Sequence, residues 1–516
     1  MRRIAYASPL NPAPSGISDY SEELLPYLAQ YAEITVYVDD RLRPSNQDVV
    51  QHMTVRPLGK LERDHRRHPY DAILYHMGNS PVHAAIWGAL QRVPGIVVLH
   101  EFVLHHFMLN YAATVRRDIA GYQAEAARRY GAEGERVARL MLHGRFTTAA
   151  FEMPFCEDVL AVAHGVIAHS RYVLERVAAL RPGLPVAHVP MGVPLPPLIP
   201  RAAARARLGL PADALILASF GHINPYKRLE AVLRALRTLR SEYTNLHYLL
   251  VGSVSPNYDV HAVIARAGLA DSVTVTGFVD RATFEDYVAA ADICLNLRHP
   301  TAGETSASLL RLLGAGRPTL VTASGSFAEL PPGVAAQVDP DASEVDLILA
   351  YCRLLADRPA VAAALGTNAR AYVAREHTLA GAAEGYIRFL AQRYGWGTVP
   401  PLRDRPLWEP RPALEPGAGI DHRHPPAPWR SEGPTDSEKR TDAQRQRMSR
   451  RAAIDRLTEG GSAPNAQPSA FSLQPSTLNA SVAEALADLG ATEDDAPLLN
   501  GAAQALTDLL GPERTP

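Results

Sequence analysis

Short apolar runs that end in a polar or glycine-bearing turn, each followed by a helical stretch, recur from residue 3 to residue 394. This alternation limits the fold more than any other feature. Strands that are apolar throughout, and not only on alternate positions, are buried on both faces, which calls for a parallel sheet covered by helices on each side. Strands are expected at 3–8, 34–38, 70–75, 96–99, 166–168 and 186–190, with a first helix over 20–30 capped by Ser18 or Asp19. A proline-rich connector, Pro194 to Pro200, then interrupts the pattern. Beyond it the alternation restarts, with strands at 215–220, 248–251, 273–275, 293–297 and 319–322. Helices are expected at 227–239, 309–313, 358–374 and 379–394. The chain therefore reads as two α/β domains, 1–197 and 198–378, with a last helix over 379–395 returning to the first.

The character changes near residue 398. Proline, arginine, aspartate and serine dominate up to 478, a composition that cannot bury enough apolar surface to offset ordering entropy, so 398–478 is expected to be a disordered linker. Residues 479–516 carry leucines at helical spacing (Leu486, Leu489, Leu506, Leu509 and Leu510) and are expected to form a short helical segment. The 516 residues have a formal net charge of −2, which leaves no basic footprint for nucleic acid. Three separated cysteines, Cys156, Cys294 and Cys352, make neither a disulfide framework nor a zinc-type pairing. The start lacks the apolar core of a signal peptide, and no apolar run reaches the roughly 20 residues that span a bilayer. A cytoplasmic protein is expected, with peripheral contact at the inner membrane face left open.

Three stretches carry chemistry. Residues 292–318 read as strand, polar loop, helix, Gly-Pro turn and strand. The loop holds Arg298, His299 and Thr301, and the helix start holds Glu304, Thr305, Ser306 and Ser308. In an open parallel sheet, ligands bind at such loops, outside the carboxyl ends of the strands, and a helix start can hold a phosphate or a sugar hydroxyl. Glu304 could equally be a simple helix cap. Gly221 to Arg228 follow the first strand of the second domain. Gly221 lets backbone approach a ligand, while Lys227 and Arg228, cations at a helix start, call for an anion such as a diphosphate. His76, His100 and His169 each stand just after a strand, on the same edge. The G-x-G-x-x-G fingerprint is absent from the first strand–helix turn, where Gly16 stands alone, which disfavours a dinucleotide dehydrogenase.

Over residues 1–395 these pieces resemble a retaining glycosyltransferase of family 4 (glycosyl transferases group 1), with the GT-B fold. The matching pieces are Pro14 to Asp19, His100-Glu101, Ala168 to Ser170, Pro190 to Val193, Gly221 to Arg228, Gly277 to Val279, Ala291-Asp292 and Gly314 to Pro318. The resemblance implies two Rossmann-like, doubly wound domains facing across a cleft, the second holding a UDP- or GDP-linked sugar. It places Gly16 near the donor phosphates, with Gly221, His222 and Lys227 around the diphosphate. His222 stands where the family has an arginine, so Lys227 and Arg228 would carry that charge. His100 would lie beside the transferred sugar, Gly277, Phe278 and Val279 would offer backbone to the base, and Glu304, Thr305 and Ser306 would meet the sugar or its leaving phosphate. The catalytic set is then His100, Glu304 and Lys227.

One departure bears on this. The family has two glutamates with seven residues between them; here the first position falls at Gly303, beside Glu304, and the second, which holds the ribose in the family, is Arg311. The loop resembles a variant subgroup without the second glutamate. The implied activity is transfer of a sugar, with a lean to mannose, from the nucleotide sugar to a hydroxyl of a glycan, a lipid-linked carrier or a small molecule. No cofactor and no metal are expected. Two alternatives stand beside it: other sugar-nucleotide chemistry, such as hydrolysis or epimerisation, which would want a further acid–base pair, and a catalytically degenerate nucleotide-sugar-binding or scaffold protein, motivated by Arg311 and the tail.

Overall fold

Two parallel sheets are built from the apolar runs. The computed structural model describes residues 1–145, 147–399 and 405–408. In the first domain β1 (Arg2–Ala7), β2 (Ala32–Val38), β3 (Thr54–Pro57), β4 (Ala72–Met77), β5 (Ile96–Leu99), β6 (Gly165–Ala168) and β7 (Val186–His188) lie in the order β3-β2-β1-β4-β5-β6-β7. In the second, β8 (Leu215–Phe220), β9 (Leu246–Val251), β10 (Val273–Gly277), β11 (Ile293–Asn296), β12 (Thr319–Thr322) and β13 (Ala336–Val338) lie in the order β10-β9-β8-β11-β12-β13. All the strand pairings are parallel. Each order reverses once, between β1 and β4 and between β8 and β11, and the crevice at such a switch point is where open α/β sheets take ligands.

The sheets are covered on both faces. Ile4, Tyr6, Val36, Leu74 and Val98 point into one apolar layer, and Ala5, Tyr37, Ile73, Tyr75 and Val97 into the opposite one. Leu217, Tyr248, Leu250 and Leu295 against Ile216, Ala218, Leu249 and Cys294 repeat this in the second sheet. The last helix, Leu379–Tyr394, lies against the first helix, Gly16–Leu28, with Tyr386 and Tyr20 hydroxyls 3.2 Å apart. Two edge strands, β3 and β13, escape the sequence pattern because they are short. The first helix begins four residues before the expected Tyr20, and its cap is Ser15, which accepts from the Ile17 N–H, not Ser18 or Asp19.

The domains meet through apolar contacts, Ala302 of the second packing in one cluster with Phe102 and Val103 of the first, and through polar ones. The Val103 N–H donates to the Ala302 carbonyl at 2.9 Å. Glu329 of the second domain accepts from the Arg171 N–H at 3.0 Å and from Tyr172, and so closes the start of the first-domain helix Arg171–Leu180. No described helix is long and apolar enough to cross a membrane.

Residues 405–408, inside the stretch expected to be linker, dock on the first domain. Trp408 is buried and stacks on His52 at 4.8 Å, the Leu407 N–H donates to the Pro26 carbonyl at 2.9 Å, and Gln30 donates to the Arg405 carbonyl at 2.6 Å. The remainder of the expected linker beyond 408 and the 479–516 segment lie outside the described residues. Trp408→Ala is expected to lower the unfolding free energy of the full chain by about 2 kcal/mol, below the roughly 3–5 kcal/mol for a core aromatic because the site is at the rim. Urea denaturation of both proteins checks it; an unchanged midpoint would show that the contact contributes nothing.

Candidate active site

The loop after β8 turns a lysine inward. Asn224 caps a single 3-10 turn, Pro225–Lys227, and Arg228 takes a left-handed conformation with φ 56° before the helix Leu229–Glu242 begins. A left-handed residue that is not glycine is uncommon. The bend sends the two side chains apart. Lys227 is 8% exposed and donates to the carbonyl of Phe220, the last residue of β8. Arg228 turns away to a two-pronged ion pair with Glu344, at 2.8 Å for its Nε. The helix therefore starts two residues later than expected, and the pair read as acting together is split. Gly221 has φ 85°, and a Cβ there would stand 3.4 Å from the Lys227 ammonium nitrogen, so the glycine keeps the space beside that ammonium open. His222 points to the Ser253 hydroxyl at 3.0 Å.

The loop after β11 supplies the facing groups. Arg298 donates to Glu304 at 2.7 Å and to the Ser306 hydroxyl at 3.2 Å, and Thr301 donates to the other Glu304 oxygen at 2.9 Å. Glu304 is thus not the helix cap. That role belongs to Ser306, whose hydroxyl accepts from the Leu309 N–H at 3.2 Å at the start of Ala307–Gly314 and lies 2.9 Å from that of Ser308. Thr305 sits between them, half-buried. Burial pushes the Lys227 ammonium well below the usual lysine range; nearby Arg298 pushes the same way and Glu304 opposes. A buried ammonium whose hydrogen-bond acceptor among the described residues is one carbonyl is favoured by an added anion.

The first domain brings its strand ends to the same place. Gly16 opens the first helix, and a Cβ on it would meet nothing within 4 Å. A Cβ on Gly78, just past β4, would be 2.7 Å from Ile17 and 3.1 Å from the Glu101 carboxylate, so helix start, Gly78 and Glu101 are packed together. Glu101 accepts from the Asn79 N–H, and burial, with Glu304 adding repulsion, raises its carboxyl to about 7 against the opposing pull of Asn79 and Arg298. His76, His100 and His169 do converge: His76 Nδ1 and His100 Nε2 are 2.9 Å apart, and the rings of His100 and His169 are 4.9 Å apart. Burial, with the neighbouring histidines adding to it, holds His100 well below the usual histidine range.

Gly16, His100, Gly221, Lys227, Glu304, Thr305 and Ser306 thus stand at the facing strand ends. Gly277 to Val279 follow β10, with Gly277 at φ 74° and bridged to Gly252, which packs against the Gly221 backbone, and with Phe278 84% exposed. Glu101 and Arg298 were visible in sequence as a strand-end residue and a loop cation; Arg298 finds Glu304 within its own loop, whereas Glu101 meets the Asn79 N–H of a different strand end. Among the described residues, no three of His, Cys, Asp and Glu group as metal ligands.

Arg311 lies elsewhere than a solvated helix face. It is buried and donates to Glu23 of the first helix at 2.6 Å, and Glu23 also takes Arg281. The second Glu23 oxygen and the Arg311 Nε are buried without a partner among the described residues. Where the resemblance expects a carboxylate from the second domain, one arrives from the first, held between two guanidinium groups.

Comparisons with known proteins fit this geometry. Residues 214–357 match the family described as glycosyl transferases group 1. The chain is 34% identical over 183 residues to a D-inositol 3-phosphate glycosyltransferase of Streptomyces avermitilis, 33% of this chain and 38% of that protein. It is 31% identical over 212 residues to the protein of the same name from Streptomyces scabiei, 38% of this chain and 45% of that one. The chain thus spans less than half the length of these relatives. Among solved structures, sucrose-phosphate synthase of Thermosynechococcus elongatus superposes with a TM-score of 0.56 at 20% identity, covering 77% of this chain and all of that one. Anabaena Alr3699/HepE in complex with UDP and glucose gives 0.54 at 16%, covering 76% of this chain and all of that one. The chain has the GT-B fold, two Rossmann-like parallel-sheet domains.

Two outcomes follow from the charges. The folded chain keeps the Glu101 proton up to about pH 7, whereas the unfolded chain releases it near the ordinary value of 4.5. Between those values the folded state binds more protons, so this group makes stability fall as pH rises. Glu101→Gln is therefore expected to lessen the fall in melting temperature between pH 5 and 8; an unchanged profile would contradict the burial of this carboxyl. Glu23→Ala strands the buried Arg311, while the partly exposed Arg281 keeps Glu285, and is expected to cost about 3 kcal/mol, more than Arg311→Ala, which leaves Glu23 its second partner. Denaturation curves of both variants decide the order.

Proposed function

We propose that the protein is a retaining glycosyltransferase that moves a sugar from a UDP- or GDP-linked donor to an acceptor hydroxyl without a metal. The observation that carries this is Lys227, a buried ammonium beside an open glycine turn at the switch point of the second sheet, in want of an anion. A diphosphate there meets Lys227, Arg298, the Ser306 and Ser308 hydroxyls and the free N–H groups at the start of Ala307–Gly314. The relatives named as glycosyltransferases and the neighbour holding UDP and glucose support the same reading.

In the reaction the bond from the anomeric carbon to the phosphate oxygen breaks and its electron pair stays on the phosphate. The acceptor oxygen attacks from the face being vacated, and its proton passes to the departing phosphate. Lys227 and Arg298 balance the charge that develops on that phosphate. His100 and Glu101 approach the sugar from the first domain, and Gly277 to Val279 meet the base. The acceptor is a hydroxyl of a glycan, a lipid-linked carrier or a small molecule, with mannose the lean for the sugar and the cytoplasm the place of work, peripheral contact at the inner membrane face being left open.

The Glu23–Arg311 pair favours a second reading, a degenerate protein that binds nucleotide sugars without turnover, since it fills the place from which a carboxylate would reach the ribose. Calorimetry with UDP, GDP and their sugar conjugates, followed by hydrolysis and transfer assays, separates the two. Lys227→Ala is expected to weaken donor binding by about 2–3 kcal/mol, roughly 30- to 150-fold in Kd. EDTA is expected to leave wild-type binding unchanged. Full binding by the alanine variant would remove the basis of both readings.

A further inference from the structure

We propose that His76 sets the tautomer of His100, so that His100 presents an Nδ1–H donor to a hydroxyl of the transferred sugar. The role of His100 toward the sugar rests on the transferase reading above; the tautomer itself does not.

His76 Nδ1 and His100 Nε2 are 2.9 Å apart, a hydrogen bond in which one nitrogen donates and the other accepts. Both side chains are buried, among Tyr6 at 4.5 Å from the His76 ring and Tyr20 at 5.5 Å from that of His100. Desolvation holds both well below the usual histidine range, so each carries a single proton at neutral pH. The direction of the bond therefore decides both tautomers at once.

The far side of His76 decides the direction. Its Nε2 is sealed from solvent with no partner among the described residues. Were His76 the acceptor, its proton would sit on that nitrogen as a buried N–H with nothing to receive it, and orphaned buried N–H groups are rare. Two neighbours show what this interior accepts instead. His169 Nδ1 lies 2.9 Å from the Val189 carbonyl and His83 Nδ1 lies 3.1 Å from the Ser80 carbonyl. A carbonyl only accepts, so both rings are protonated at Nδ1, and each leaves a bare, sealed Nε2. His76 shares that pattern: protonated at Nδ1, donating to His100 Nε2, bare at its own Nε2.

His100 then accepts at Nε2 and carries its proton on Nδ1, the opposite of the tautomer that a free imidazole side chain prefers in water. Its Nδ1 has no hydrogen-bond partner among the described residues and is not among their sealed, unpaired atoms. The ring is thereby made a donor and kept from taking a proton, which accords with the acceptor's proton passing to the leaving phosphate. His76 is a positioning residue, acting through His100.

The test is a long-range proton–nitrogen correlation spectrum of the full chain labelled with 15N-histidine, with His100 assigned by its loss in His100→Gln. The expected spectrum shows His100 unprotonated at Nε2 and protonated at Nδ1. In His76→Phe, which keeps an aromatic ring in place, His100 is expected to revert to the Nε2-protonated form, and kcat with a nucleotide sugar to fall about 10- to 100-fold. His76→Asn, which returns a side-chain N–H near the position of Nδ1, is expected to restore the tautomer and part of the rate. A wild-type His100 protonated at Nε2, or an unchanged tautomer in folded His76→Phe, overturns the proposal. A wild type with the expected tautomer that binds no nucleotide sugar overturns the transferase reading alone.

Discussion

Burying charge between two domains without stranding it is the constraint on which the rest depends. Lys227, Arg298, Glu304 and Glu101 stand past the carboxyl ends of strands, and Arg311 and Glu23 meet from helices of the two domains. Desolvating an ion costs several kcal/mol unless a partner meets it. Some of these groups find their partner across the domain boundary, as Arg311 and Arg281 do in Glu23. Others find it within a loop, as Arg298 and Glu304 do. Lys227 has only a backbone carbonyl among the described residues, which is a weak match for a full charge. Ion pairs cross between the domains at Glu23, and Lys227 is the cation whose match is least complete.

The two sides of the cleft solve the problem of polarity differently. On the second domain, cations and hydroxyls surround a glycine turn and a helix start, an arrangement suited to phosphate. On the first, desolvation keeps His76, His100 and His169 low and Glu101 high, so these side chains favour their neutral forms. Neutral donors and acceptors suit sugar hydroxyls, which carry no charge to balance. A charged half and a neutral polar half facing one another suit the proposed transfer from a nucleotide sugar.

Much of the architecture was legible beforehand because a parallel strand buried on both faces must be apolar along its length. β5, β8 and β12 fall at the expected residues, as does the last helix. The edge strands β3 and β13 did not show, since a three- or four-residue strand with one open edge leaves no such run. The site was legible only in part. That His76, His100 and His169 stand after strands was visible, because strand ends of one parallel sheet share an edge. That Arg228 would leave the phosphate side was not, because it turns on one left-handed residue and on Glu344, 116 residues away. Glu304 as a helix cap was the local alternative, and the local competitor Ser306 took that place.

By itself the sequence determined the two parallel sheets, the switch-point loops and the kinds of side chain delivered to them, because hydrophobic period and glycine placement act over a few residues. Tertiary structure alone decided which charges would be paired. Arg311 replaces a carboxylate in the resemblance, yet its place receives one from Glu23, a residue 288 positions earlier. The difference has a physical cause. Secondary structure follows from short-range sterics and burial, whereas the state of an ionisable group depends on every charge and every water excluded within several ångströms, whatever its distance along the chain.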